Sequence, residues 1–286
     1  MRYEHIGNAL FIKNREKLKA KMKPNSIAVI CSNDIMPTNA DGTMNFRQNS
    51  NLLYFSGIDQ EESVLIIAPD FPNPKMREVL FVRETNEHIA VWEGHKYTME
   101  EATETSGVDT VMWNDQFEGT LNTILAETDN IYLYNNEHIR NGSEVETRSD
   151  RFNKWCQSKY GNYNFERLAP LAYDLRTVKE QREIELMQKA CDITDQGFRR
   201  VLDYTKPGIW EFEVEAEYLH EFTRNRSKGF AYTPIIAGGG NACVLHYIEN
   251  KDQLKDGDQV HVLTTKRGAP SRDWLNPYVG YVNTSR

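Results

Sequence analysis

His246 is the residue that type and surroundings place best to do chemistry. It lies between Leu245 and Tyr247 in FAYTPIIAGGGNACVLHYIEN, residues 230–250. The stretch reads as a strand over residues 233–237, a glycine turn over 238–240 and a second short strand over 242–247, with His246 turned inward. An imidazole in an apolar strand, behind a turn that lets backbones approach closely, is suited to touch a substrate. The alternative is a hydrogen-bonded core histidine beside an ordinary turn, because one histidine fixes no reaction.

The other chemically able residues form no set. Glu217 and His220 stand one helical turn apart and could share a metal. Such a site draws a second pair from another helix, and no second pair appears. His220-Glu221 opens an H-E-x-x-H pattern, but Arg224 stands where the second histidine belongs, so this face reads as solvated and acidic. Gly238-Gly239-Gly240 lacks the Gly-Lys-Ser/Thr ending of a phosphate loop, and Cys243 replaces the third glycine of a dinucleotide fingerprint. His88 and His95 flank an apparent loop around Trp92 and read as surface or packing residues. Spacing assigns no Ser–His–Asp or Cys–His set.

The chain around these residues is globular in composition, with 39% hydrophobic and 27% charged residues among 286, enough for roughly two domains. A net charge of -8 argues against a general nucleic-acid binder. The longest apolar runs, such as residues 64–68, are too short to span a bilayer, and the N-terminal residues lack a continuous apolar stretch of the signal-peptide kind. Neither membrane nor nucleic acid is therefore expected as a partner. Cys31, Cys156, Cys191 and Cys243 are widely spaced and read as buried thiols in a reducing compartment, the cytoplasm.

The positioning elements alternate. Helices are expected at residues 10–21, 98–105 (Thr98 capping, Glu101 three residues later), 116–126 and 149–160. Strands are expected at 26–31, 63–68, 77–82, 108–113 and 130–133, and residues 32–50 read as a polar loop. This is an α/β domain over residues 1–173. A long helix follows at 179–204, then the Lys206-Pro207-Gly208 break, a helix at 211–225 and the His246 segment. Residues 174–258 thus read as α+β, two helices laid on one edge of a sheet.

Several stretches resemble the Xaa-Pro aminopeptidase (aminopeptidase P) family. They are NADGTMNFRQNSNLLYFSGID (39–59), ETNEHIAVWEGHKYT (84–98), KEQREIELMQKACDIT (179–194), KPG with EVEAE (206–208, 213–217) and the 230–250 stretch. The resemblance implies a creatinase-like α/β N-terminal domain, then an α+β pita-bread domain that is incomplete here. It implies a hydrolase, a metallopeptidase that binds two divalent ions, usually manganese, and cleaves the bond before proline in Xaa-Pro peptides. It also implies homo-oligomers built through the N-terminal domain. The family's first active-site histidine, in its H-Y pair, falls on His246, near the scissile carbonyl and not as a metal ligand. The candidate site is then His246 as catalytic residue, with Tyr232 and His246 as substrate contacts.

Three departures stand out. Trp210 occupies a position where a capping Ser or Thr is expected. Gly239 stands where the family commonly has Ser. After Asp256-Gly257-Asp258, the first two metal-ligand positions fall on Leu263 and Trp274, which offer no ligand, and the other three would lie beyond Arg286. No metal-ligating residue, and no bound manganese, is therefore expected in this chain. Residues 259–286 instead resemble the end of the TGS domain region of stringent-response alarmone synthetases, which implies a chimera with a foreign tail. The expectation is an aminopeptidase P chain that is inactive alone. The alternatives are a non-catalytic oligomerisation or interaction module and an alarmone-linked regulatory fragment. A half-built second domain should also leave a bare sheet edge near Val244.

Overall fold

α1 (Ala9–Lys19) leads into β1 (Ser26–Cys31), whose six residues are all buried. The computed structural model describes residues 3–258 and 260–263. The described chain falls into two units, His5–Glu180 and the residues from Gln181 onward together with Tyr3 and Glu4.

In the first unit α2 (Ser50–Ser56), β2 (Val64–Ile67), β3 (Glu78–Val82), α3 (Glu87–Glu93), α4 (Met99–Ser106) and β4 (Thr110–Trp113) follow β1. Then come α5 (Phe117–Leu125), β5 (Asn130–Leu133), α6 (Arg148–Lys159), β6 (Asn164–Arg167) and α7 (Ala169–Thr177). The sheet order is β4-β3-β2-β1-β5-β6. β1–β2 and β2–β3 are antiparallel and the other pairs parallel. Ala28, Ile30, Leu65 and Leu80 pack with Leu18, Phe55, Ala102 and Ala172 from the helices on one face. Ile27, Val29, Ile66 and Phe81 pack with Leu121, Ile124 and Cys156 on the other. Burial on both faces is why these strands are continuous apolar runs in the sequence.

Helix α1 also carries a buried cation. Arg15 is fully enclosed, and its Nε donates to Glu78 at 2.8 Å. Its Nη1 donates to the carbonyls of Phe55 and Ser106 at 2.8 and 2.9 Å, and its Nη2 to Gly107 at 3.1 Å. One guanidinium thus satisfies carbonyls at the C-terminal ends of α2 and α4, which no intrahelical donor reaches.

Sequence patterning missed α2, α3, β6 and α7. Asn49 accepts from Asn51 N and Leu52 N to start α2, and Gly57 closes it at φ +71°. A Cβ on Gly57 would lie 2.2 Å from Phe11 Cε2, so that turn requires glycine. The segment between His88 and His95 is helix α3, capped by Asn86, not a loop. The boundary expected after residue 173 falls inside α7, whose Ala172 and Leu175 belong to the first core.

The second unit contains α8 (Gln181–Tyr204), α9 (Glu211–Arg224), β7 (Ile235–Gly238) and β8 (Val260–Leu263). Its core joins Val201, Ile209, Val214, Tyr218, Phe222, Ile236 and Leu254. Gly197 lets the two helices close. A Cβ there would meet Tyr218 Cδ1 at 2.9 Å and Phe222 Cε1 at 3.2 Å.

Two expectations fail here. Residues 242–247 are not a strand, because Gly239 turns to φ +52° and Gly239–Cys243 winds into a short 3-10 turn. Nor is β7 left bare among the described residues. β7 pairs antiparallel with β8, from Ile235–Leu263 to Gly238–Val260. Away from β8, Ile236 N donates to Asn250 Oδ1 at 2.9 Å and Gly238 N to Glu211 Oε1 at 2.7 Å. Apart from β8, the tail assigned to residues 259–286, Trp274 included, lies outside the described residues. Among the described residues no helix is long and apolar enough to cross a membrane.

All four cysteines are free. Burial raises the thiols of Cys31 and Cys156 to about 11. Cys191 and Cys243 are exposed, against the expectation of four buried thiols.

Candidate active-site segment

Glu211 opens α9, and its carboxylate is fully buried. Oε1 accepts from Gly238 N at 2.7 Å and Asn241 Nδ2 at 3.3 Å. Oε2 accepts from the Tyr247 hydroxyl at 2.6 Å and Asp252 N at 3.0 Å. Four donors and no acceptor face it, so the site suits a carboxylate and no neutral isostere. The position at the first turn of a helix adds a favourable dipole.

Trp210 precedes it as the N-cap and makes no side-chain cap bond, since an indole has no acceptor. Half of a capping box survives: Trp210 N donates to Glu213 Oε2 at 2.7 Å. Backbone bonds from Glu211 N to Asp252 O and from Leu254 N to Ile209 O hold the entry to α9 against residues 252–254. The first of these satisfies the Glu211 amide, and the Glu213 amide that a capping hydroxyl would serve donates instead to Trp210 O at 3.0 Å.

A second clasp is Asn250, buried and left-handed at φ +44°. Its Nδ2 donates to Glu215 Oε2 at 2.8 Å and Pro234 O at 3.2 Å. Gly239 is fixed in kind as well. A Cβ there would lie 2.9 Å from Asp258 Oδ1, and the residue is left-handed. Glycine where the family commonly has serine therefore matches this backbone.

His246 sits in the turn between these clasps, exposed, and makes no hydrogen bond among the described residues. It is not turned inward. Tyr247 takes the buried place, and burial with the Glu211 carboxylate beside it holds its hydroxyl above the ordinary value. Tyr232 is half-buried. Its hydroxyl is enclosed, without a partner among the described residues, and burial raises its pKa. No hydrogen bond joins Tyr232 to His246 among the described residues.

The remaining candidates are committed elsewhere. Glu217 accepts from Arg200, and His220 is exposed. His95 contacts Glu101 at 2.8 Å, and the His88 ring lies 6.4 Å from Trp92. Among the described residues no three His, Cys, Asp or Glu side chains come together to hold a metal ion. Sequence reasoning missed Glu211 and Asn250. Glu211, three residues past the Pro207-Gly208 break, could have flagged the first, but its partners lie 27 to 41 positions away.

Comparison with known proteins bears on the whole arrangement. Residues 11–134 match the family Aminopeptidase P, N-terminal domain, and residues 185–266 match Metallopeptidase family M24. The Xaa-Pro aminopeptidase of Escherichia coli is 28% identical over 256 residues, 89% of this chain and 58% of that protein. That of Haemophilus influenzae is 30% identical over 250 residues, 87% of this chain and 55% of that protein. The chain thus spans a little over half the length of these relatives. A solved structure of a candidate aminopeptidase P from Bacillus anthracis superposes with a TM-score of 0.82 at 28% identity, covering 90% of this chain and 61% of that one. A zinc-substituted E. coli aminopeptidase P in complex with product gives 0.77 at 27%, covering 91% and 59%. With two parts matched in the same order and over the same fold, the chain is built as an aminopeptidase P N-terminal domain followed by part of an M24 pita-bread domain, the arrangement of the Xaa-Pro aminopeptidases it resembles.

Proposed function

We propose that this chain carries the N-terminal domain and the substrate-facing H-Y segment of a cytoplasmic peptidase that releases the residue before proline from Xaa-Pro peptides. The observation that carries this is the superposition at TM-score 0.82 over 90% of the chain. In this reading His246 contacts the scissile carbonyl from its exposed turn, and the half-buried Tyr232 is a further substrate contact. The N-terminal domain mediates self-association, which gel filtration reads: a monomer at high concentration counts against it.

The family's chemistry is two-metal hydrolysis, with manganese as the expected ion. The residues present do not fit that group. Leucine and tryptophan at 263 and 274 cannot ligate a divalent cation, and no alternative cluster exists among the described residues. No step is therefore assigned to a metal in this chain. With manganese added, the pure chain is expected to release no residue from an Xaa-Pro peptide above background. Robust turnover abolished by a chelator would overturn that expectation.

A further inference from the structure

We infer that Tyr247 and Glu211 are a positioning pair for His246. The inference rests on the reading that His246 meets the substrate. Around His246 the chain is outward: Val244, Leu245 and Ile248 are each more than half exposed. Tyr247 is the buried side chain among them, at 9% exposure, and it anchors residues 244–248. Its hydroxyl donates to Glu211 Oε2 and accepts from Lys251 N at 3.1 Å. That hydroxyl therefore closes a loop from residue 247 to 251 and ties it to α9.

Glu211 is in turn braced on both sides of the turn, by Gly238 N and Asn241 Nδ2 before it and Asp252 N after it. The carboxylate cannot swing without breaking bonds to both flanks. Tyr247 and His246 are neighbours in sequence, so seating the phenol inward sets the direction in which the imidazole leaves the backbone. The pair touches no reacting atom. It acts through His246.

The test uses the full chain with Tyr247→Phe, which keeps the ring and removes the hydroxyl. The readouts are the His246 ring signal by carbon–proton NMR and amide exchange along residues 244–249. The expected result is a displaced and broadened His246 signal and exchange at 244–249 faster by about tenfold. Protection of the α8–α9 core should not change. An unmoved His246 signal would overturn the inference, whatever the variant's stability. Asn241→Ala removes a weaker tether on the same carboxylate and must move the signal in the same sense, so it decides the matter should Tyr247→Phe fail to fold. In the unmodified chain, a His246 signal indifferent to added alanyl-proline would overturn the substrate role itself and with it the functional half of the inference.

Discussion

A Glu211→Ala chain is expected to lose about 3–5 kcal/mol of stability in its second unit, enough to unfold a marginal domain. The substitution leaves Gly238 N, the Tyr247 hydroxyl and Asp252 N facing a cavity, while Asn241 Nδ2 keeps Asp252 Oδ2 at 2.7 Å. Each buried donor without a partner costs roughly 1–3 kcal/mol, and some will find water. Glu211→Gln should recover little. Its amide nitrogen must face either Gly238 N and Asn241 or Tyr247 and Asp252 N, and both pairs include a backbone donor. Denaturant melts followed by hydrogen exchange in α9 would measure the loss. A change below about 1 kcal/mol, the net worth of a single ordinary hydrogen bond, would show that the carboxylate is not the knot of this unit.

The second large effect is expected in the first unit. Arg15→Met should cost about 3 kcal/mol or more there, since it removes a buried cation that serves four acceptors. Glu78 keeps Lys19 at 3.0 Å, but the carbonyls of Phe55, Ser106 and Gly107 lose their donor. Arg15→Lys should recover only part, because one ammonium cannot reach carbonyls on two helix ends and a carboxylate together. Thermal unfolding of the three proteins gives the order. A neutral Arg15→Met would place the stability of α1 in Phe11 and Leu18 alone.

Both sites show where the sequence is opaque. The central strands were legible because two-sided burial writes an unbroken apolar run, as in Ser26–Cys31. Thr98 with Glu101 announced α4 by a local, reciprocal cap. Arg15 sits beside Leu18 on α1 and reads as a surface residue, since its partners come from Phe55, Glu78 and Ser106, far along the chain. Asn49-Ser50-Asn51 reads as loop, although Asn49 is spending its side chain to start α2.

The His246 segment failed differently. Val244 and Leu245 look like strand residues, yet both are exposed. The phenol of Tyr247, drawn to Glu211, overrides the local apolar pattern and turns His246 outward. The H-Y pair singles out His246 only by resemblance, and its exposed place in the turn assigns it no role. Its orientation was not legible, because orientation is set by a carboxylate 35 positions earlier in the sequence.

The clasped strand has one more consequence. Ile236 and Gly238 hand their outward amides to Asn250 and Glu211. A strand from another molecule would therefore find those two donors taken, and stacking of copies into growing fibrils through that side of β7 is blocked by side chains that belong to the same fold.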